Sequence, residues 1–124
     1  MATIQSYRDL LVWQRAMALA AACYRETRTF PREEAFGLTA QIRRAAASIP
    51  ANIAEGHGRE STGVYIQFLR VAQGSLKELE THILLSVDVG FLAQDVSDGL
   101  LGTCEEVGKM LRSLIRALQR KDTS

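Results

Sequence analysis

Apolar residues recur along the chain at steps of three and four, and no alternating run of β-branched residues survives between turn signals, so the pattern predicts helices and no strands. The first helix is expected over about 8–28. It is heralded by Ser6-x-x-Asp9, in which the hydroxyl accepts from a free backbone amide at a helix start. Leu10, Trp13, Met17, Ala20 and Tyr24 then form one stripe with Ala16 and Cys23 beside it, and the helix should end before Phe30-Pro31, where proline disfavours helical geometry in its predecessor. A second helix is expected over about 36–55, with Leu38, Ile42, Ala45, Ile49 and Ile53 in register. Pro50 lies inside it. The phase continues through Ile53, so the expectation is a kink at Pro50, with Ser48 and Asn52 placed to satisfy the carbonyl of Ala46 or to recruit water.

The third helix, about 62–89, carries Tyr65, Leu69, Ala72, Leu76, Leu79 and Ile83 at alternating steps of four and three, a seam suited to shallow bundle packing. Gly74-Ser75 interrupts it, which points to a close crossing by another helix. The fourth, about 95–120, has Leu100, Cys104, Val107, Leu111, Leu114 and Leu118 as its seam. Four helices joined by short loops imply an all-α, antiparallel up-and-down four-helix bundle, kinked in its second helix, with residues 1–124 as a single domain.

More apolar surface is present than one bundle core requires. Ile66, Val71, Leu84 and Leu85 fall off the third-helix seam, and Leu11, Val12 and Leu19 widen the arc of the first helix. A coherent second patch of this kind marks an interface, here between copies of the chain. The absence of an 18-residue apolar run or a basic-then-apolar leader reads as a cytoplasmic protein outside membranes.

Charge narrows the chemistry. Fifteen Lys+Arg against fourteen Asp+Glu leave a net +1, so bulk charge does not advertise a polyanionic partner. Locally, Lys109, Arg112, Arg116 and Arg120 make a basic stripe opposite the leucine seam. The helix macrodipole and solubility account for such a stripe; contact with phosphate groups is the other reading, with Arg43, Arg44 and Arg59, and further Arg70 and Lys77, as additional charges. Asn52 and Glu55 read either as caps on neighbouring helix ends before Gly56-His57-Gly58 or as polar ligand contacts.

Neither histidine completes the Glu-x-x-His motif of metal-binding bundles: Leu79 stands three residues before His82 and Ala54 three before His57. Glu78 and His82, four apart, suit a helix-surface pair. With no nucleophile elbow and no phosphate-binding glycine loop, the expectation is a protein that is not an enzyme and needs neither cofactor nor metal. Cys23 and Cys104 read as buried free thiols, with a disulfide as the alternative.

Asp9-Leu10 with Trp13-Gln14, Phe30-Pro31, Gly37-Leu38-Thr39 with Gln41, the block from Ile49-Pro50-Ala51-Asn52 to Glu55-Gly56, and Phe68-Leu69 with Ala72-x-Gly74-Ser75-x-x-Glu78 resemble the four-helix-bundle proteins encoded in 23S ribosomal RNA intervening sequences. The likeness covers about residues 6–92; the fourth helix matches in pattern only. It implies a bacterial protein that forms homopentameric rings. It also implies kinship with accessory variability determinant proteins, which present a positive surface to nucleic acid and assist a reverse transcriptase. The expected function is therefore a non-catalytic homopentamer that binds nucleic acid, structured RNA above all, with RNA or DNA and a reverse transcriptase as candidate partners. The competing reading is a protein-interaction scaffold or accessory subunit without nucleic-acid binding of its own.

Overall fold

The computed structural model describes residues 3–123, with side chains through Lys121; the expected domain limits at 1 and 124 lie outside the described residues. Ser6 and Asp9 do form a capping box, but it closes a separate 3-10 turn, Tyr7–Asp9. The Asp9 carboxylate accepts from the backbone amides of Gln5 (2.9 Å) and Ser6 (3.2 Å), which hold its carboxyl below the usual range. Leu10 then turns extended, and the first helix, α1 (Leu11–Glu26), starts behind it.

That fresh start comes with a rotated register. The buried residues of α1 are Val12, Ala16, Leu19, Ala20 and Cys23, an arc about 100° from the expected stripe, or one residue around the helix. Met17 and Tyr24 stay exposed, whereas Val12 (6% exposed) and Leu19 (1%) belong to the core. The expectation that Val12 and Leu19 are surplus surface is therefore corrected: they fill the space between α1 and its neighbours, where branched and small side chains allow closer approach than Trp13 or Tyr24.

Thr27 Oγ1 donates to the Cys23 carbonyl at 2.8 Å as α1 gives way to a 3-10 turn, and Phe30 is extended ahead of Pro31 as expected. The second helix, α2 (Leu38–His57), buries Leu38, Ile42, Ala45, Ile49 and Ile53 and continues past Pro50 without ending, as expected. The Asn52 amide does not serve Ala46. It donates to the Ser48 carbonyl (2.8 Å) and Oγ (3.0 Å), and Ser48 Oγ pairs with Ser75 Oγ of the next helix at 2.8 Å.

The third helix, α3 (Thr62–Asp88), is capped by Ser61 and buries Leu69, Ala72, Leu76, Leu79 and Ile83. Its close crossing with α2 occurs at Gly56, where an added Cβ would stand 2.7 Å from Phe68 Cβ and 2.9 Å from Tyr65 Cδ1. At the expected Gly74-Ser75 crossing, α2 reaches Ser75 through Ser48, while Gly74 itself faces open space. Beyond α3, Gly90 takes φ +84°, a left-handed conformation that suits glycine, and sends the chain into the fourth helix, α4 (Gln94–Thr123). On α4 the seam passes through Leu100, Cys104, Val107, Leu111 and Ile115, with Leu114 and Leu118 only partly buried beside it.

Each helix packs on the next, α1 on α2, α2 on α3 and α3 on α4, and α4 closes on α1: an all-α up-and-down four-helix bundle in which α2 and α3 share the most extensive contact. One buried cluster draws on all four helices. Arg15 and Glu106, 3.5 Å apart, bridge α1 to α4 at the surface.

Candidate nucleic-acid interface

Burial consumes one face of α4 and leaves Lys109, Arg112, Arg116 and Arg120 outside, all exposed. Their surroundings differ. Lys109 is matched by Glu105 one turn earlier, at 3.4 Å. Arg112 folds back towards the start of the helix, so that a methyl at Gly108 would lie 3.5 Å from its Nη1 and 3.4 Å from Leu76 Cδ2. Arg112 and Arg116 have no carboxylate within ion-pair distance among the described residues. Between them and α3 opens a cleft of about 160 Å³, lined by Arg70, Gln73, Arg112, Ile115, Arg116 and Gln119.

Gln73 and Arg112 also border a second, larger cleft of about 580 Å³ further along the same α3/α4 groove. Its charges are both signs: Lys77 meets Glu80 at 3.0 Å, and Glu105 is the partner of Lys109. The uncompensated positive charge of the groove is thus concentrated at the Arg70, Arg112 and Arg116 end.

The other expected phosphate candidates are engaged elsewhere. Arg43 ties α2 to α1: its Nε donates to Thr27 Oγ1 at 2.9 Å, its Nη2 to the Tyr24 carbonyl at 3.3 Å, and its guanidinium lies 4.8 Å from the Tyr24 ring centre. Arg44 binds Gln41 and reaches Glu78 of α3 at 3.3 Å. Arg59 pairs with Glu55 at 3.4 Å and lies over the Phe68 ring. Both Arg43 and Arg44 sit on α2, diagonally across the bundle from α4, so the structure does not bring them to the stripe.

Two further expectations resolve differently. Glu78 is the partner of Arg44, not of His82, whose Nδ1 is buried without a hydrogen-bond partner. Glu55 and Asn52 make contacts within their own helix end, and Gly56 lies inside α2, which stops at Gly58. Cys23 and Cys104 are buried free thiols, both pushed up to about 12 by burial, with Glu26 adding to the effect at Cys23 and Glu80 at Cys104. Among the described residues no group of three or more His, Cys, Asp or Glu can hold a metal ion, and no helix is long and apolar enough to cross a membrane.

A second surface lies on the opposite edge of the bundle. Tyr7, Trp13, Met17 and Tyr24 frame a groove of about 470 Å³ between α1 and α2, floored by Pro50 and alanines. Leu11, Val71, Leu84 and Leu85 are exposed as expected; Ile66 is partly buried against the core. Phe36, ahead of α2, is 96% exposed, a feature that no periodicity signals because it stands in a connecting turn.

A bundle with this order of helices has known counterparts. The profile of the 23S rRNA-intervening sequence protein family matches residues 8–113. The chain belongs to that family. The match runs from the capping turn through most of α4, and so includes Arg70 and Arg112 but stops short of Arg116 and Arg120. Among solved structures, a protein of unknown function from the S23 ribosomal protein family of Bacteroides thetaiotaomicron is similar in fold, with a TM-score of 0.76 at 23% identity, over 85% of this chain and 98% of that one. No curated protein matches the chain.

Proposed function

We propose that this member of the 23S rRNA-intervening sequence family is a non-catalytic cytoplasmic bundle protein that assembles into a homopentamer and binds nucleic acid, structured RNA in particular, through the outer face of α4. The observation that carries the reading is the pair Arg112 and Arg116, exposed, without carboxylate partners and joined across the groove by Arg70. Net charge of +1 makes a single protomer a weak polyanion binder; several copies that align this face add their local charge, and affinity for a polyanion rises with the number of phosphates neutralised. The exposed apolar residues Leu11, Val71, Leu84 and Leu85 are the proposed contacts between copies.

Salt-titrated binding to ribosomal RNA fragments tests the nucleic-acid part. Affinity is expected to fall steeply with salt, and Arg112→Ala with Arg116→Ala to flatten the log–log slope by roughly 1.4, at about 0.7 per phosphate contact on single strands. An unchanged slope, or no binding at low salt, overturns it. Light scattering at micromolar concentration tests assembly, and a single-chain mass there refutes it.

The apolar groove between α1 and α2 favours a second reading, a scaffold that docks a partner protein such as a reverse transcriptase without touching nucleic acid itself. Absence of RNA binding together with an intact oligomer would select it.

A further inference from the structure

We propose that the cleft between α3 and α4 bounded by Arg70, Arg112 and Arg116 is an oxyanion site that receives one phosphate group. It deepens the nucleic-acid reading by locating where a phosphodiester sits, yet the same chemistry fits free phosphate.

Three features of the cleft carry the inference. First, guanidiniums from two helices border one small space with no carboxylate among its lining residues. Like charges so arranged repel each other unless an anion lies between them. Arg15, Arg44, Arg59, Lys77 and Lys109, by contrast, each have a glutamate within 3.0–3.5 Å, and in the other arginine-lined cleft, at Arg28, Arg32 and Arg43, Arg43 already donates to Thr27 Oγ1 and the Tyr24 carbonyl. Second, the cleft has one dry wall. Ile115 is 3% exposed, and a low-dielectric surface beside the charges strengthens their hold on an anion. The Gln73 carboxamide oxygen, 3.5 Å from Arg70 Nη1, is the acceptor nearest to hand, and the Gln119 amide borders the same space. Third, the volume of about 160 Å³ is ample for a tetrahedral anion with some of its water. Arg112 is already laid along the groove over Gly108, and its planar fork is the group best suited to two oxygens of a phosphate.

The experiment is a titration of the full chain with inorganic phosphate at constant ionic strength, followed by the arginine Nε–Hε signals in NMR. The expected result is saturable shifts at Arg70, Arg112 and Arg116, and none at Arg43 or Arg44. Arg70→Gln, on the exposed surface, should weaken phosphate binding by about tenfold, the scale of one charge-assisted hydrogen bond. The charge-matched control Arg25→Gln, exposed on the last turn of α1, should leave it unchanged. Uniform, non-saturating shifts across all arginines, or equal effects of the two variants, overturn the site.

A parallel titration with a short single-stranded RNA separates the two sources of phosphate. RNA that binds and competes with phosphate, with Arg70→Gln weakening both, supports the site as a phosphodiester seat. Saturable phosphate binding without RNA binding supports the site for free phosphate while refuting the proposed function. RNA binding that Arg112→Ala with Arg116→Ala weakens but Arg70→Gln leaves untouched refutes the site and leaves that function standing.

Discussion

Helix α3 has two very different neighbours. Towards α2 it is closed: Gly56 admits Phe68 and Tyr65, the Ser48 and Ser75 hydroxyls pair at 2.8 Å, and the seam from Leu69 to Ile83 is buried. Towards α4 it is open over part of its length, with two clefts and arginines that lack counter-charges. Both sides use the same helix and the same periodicity. The closed side pairs its serine hydroxyls internally and leaves Tyr65 Oη and His82 Nδ1 buried away from solvent; the open side keeps strong hydrogen-bond donors facing water, where a ligand can use them.

Glycine substitutions break this contrast most directly. Gly56→Ala places a methyl 2.7 Å from Phe68 Cβ, an atom fixed to its backbone, so α2 and α3 must move apart. The expected cost is about 1–3 kcal/mol, read from the denaturation midpoint, as for other overpacked cores. Gly74→Ala adds its methyl to open space on an exposed helix surface and should stabilise the fold by about 0.5–1 kcal/mol through helix propensity alone. If the two variants shifted stability equally and in one direction, the tight crossing at Gly56 and the open surface at Gly74 would not differ as described.

The same glycines show what periodicity conveys and what it does not. Steps of three and four placed all four helices, and in α2 and α3 they also chose the buried face, because the seam recurs there without a break while Val71, Leu84 and Leu85 are scattered off it. In α1 apolar residues cover two adjacent arcs, so the stripe containing Trp13 and Tyr24 was as apolar as the one containing Val12 and Leu19. The choice between them depends on how closely α2 and α4 approach, a tertiary quantity. A glycine inside a helix points to a crossing at Gly74-Ser75, yet the contact that requires a glycine sits at Gly56, which reads equally well as a helix stop. For the basic surface, spacing identified the α4 stripe. It did not reveal that Arg43 braces Tyr24 and Thr27, or that Arg70 joins Arg112 and Arg116, since both facts depend on which helices are neighbours.

The depth of the open side can be sharpened through the thiols. Cys104 borders the larger α3/α4 cleft, yet it is fully buried, and burial pushes its thiol up to about 12 along with that of Cys23. In the unfolded chain the thiols ionise near 9.0, so between pH 9 and 12 the unfolded state sheds protons that the folded state retains. With fewer protons bound in the unfolded state, stability must fall as pH rises. The thiol contribution is fully present below pH 9 and is lost as pH climbs towards 12. Denaturation midpoints should therefore be flat across neutral pH and drop above 9, and Cys23→Ala with Cys104→Ala should make that drop shallower; the part that remains includes the Tyr65 hydroxyl, also raised by burial. At pH 8 a thiol reagent should label Cys104 no faster than the chain opens, because the residue is fully buried. Rapid labelling of the folded protein would mean that the open side reaches into the core.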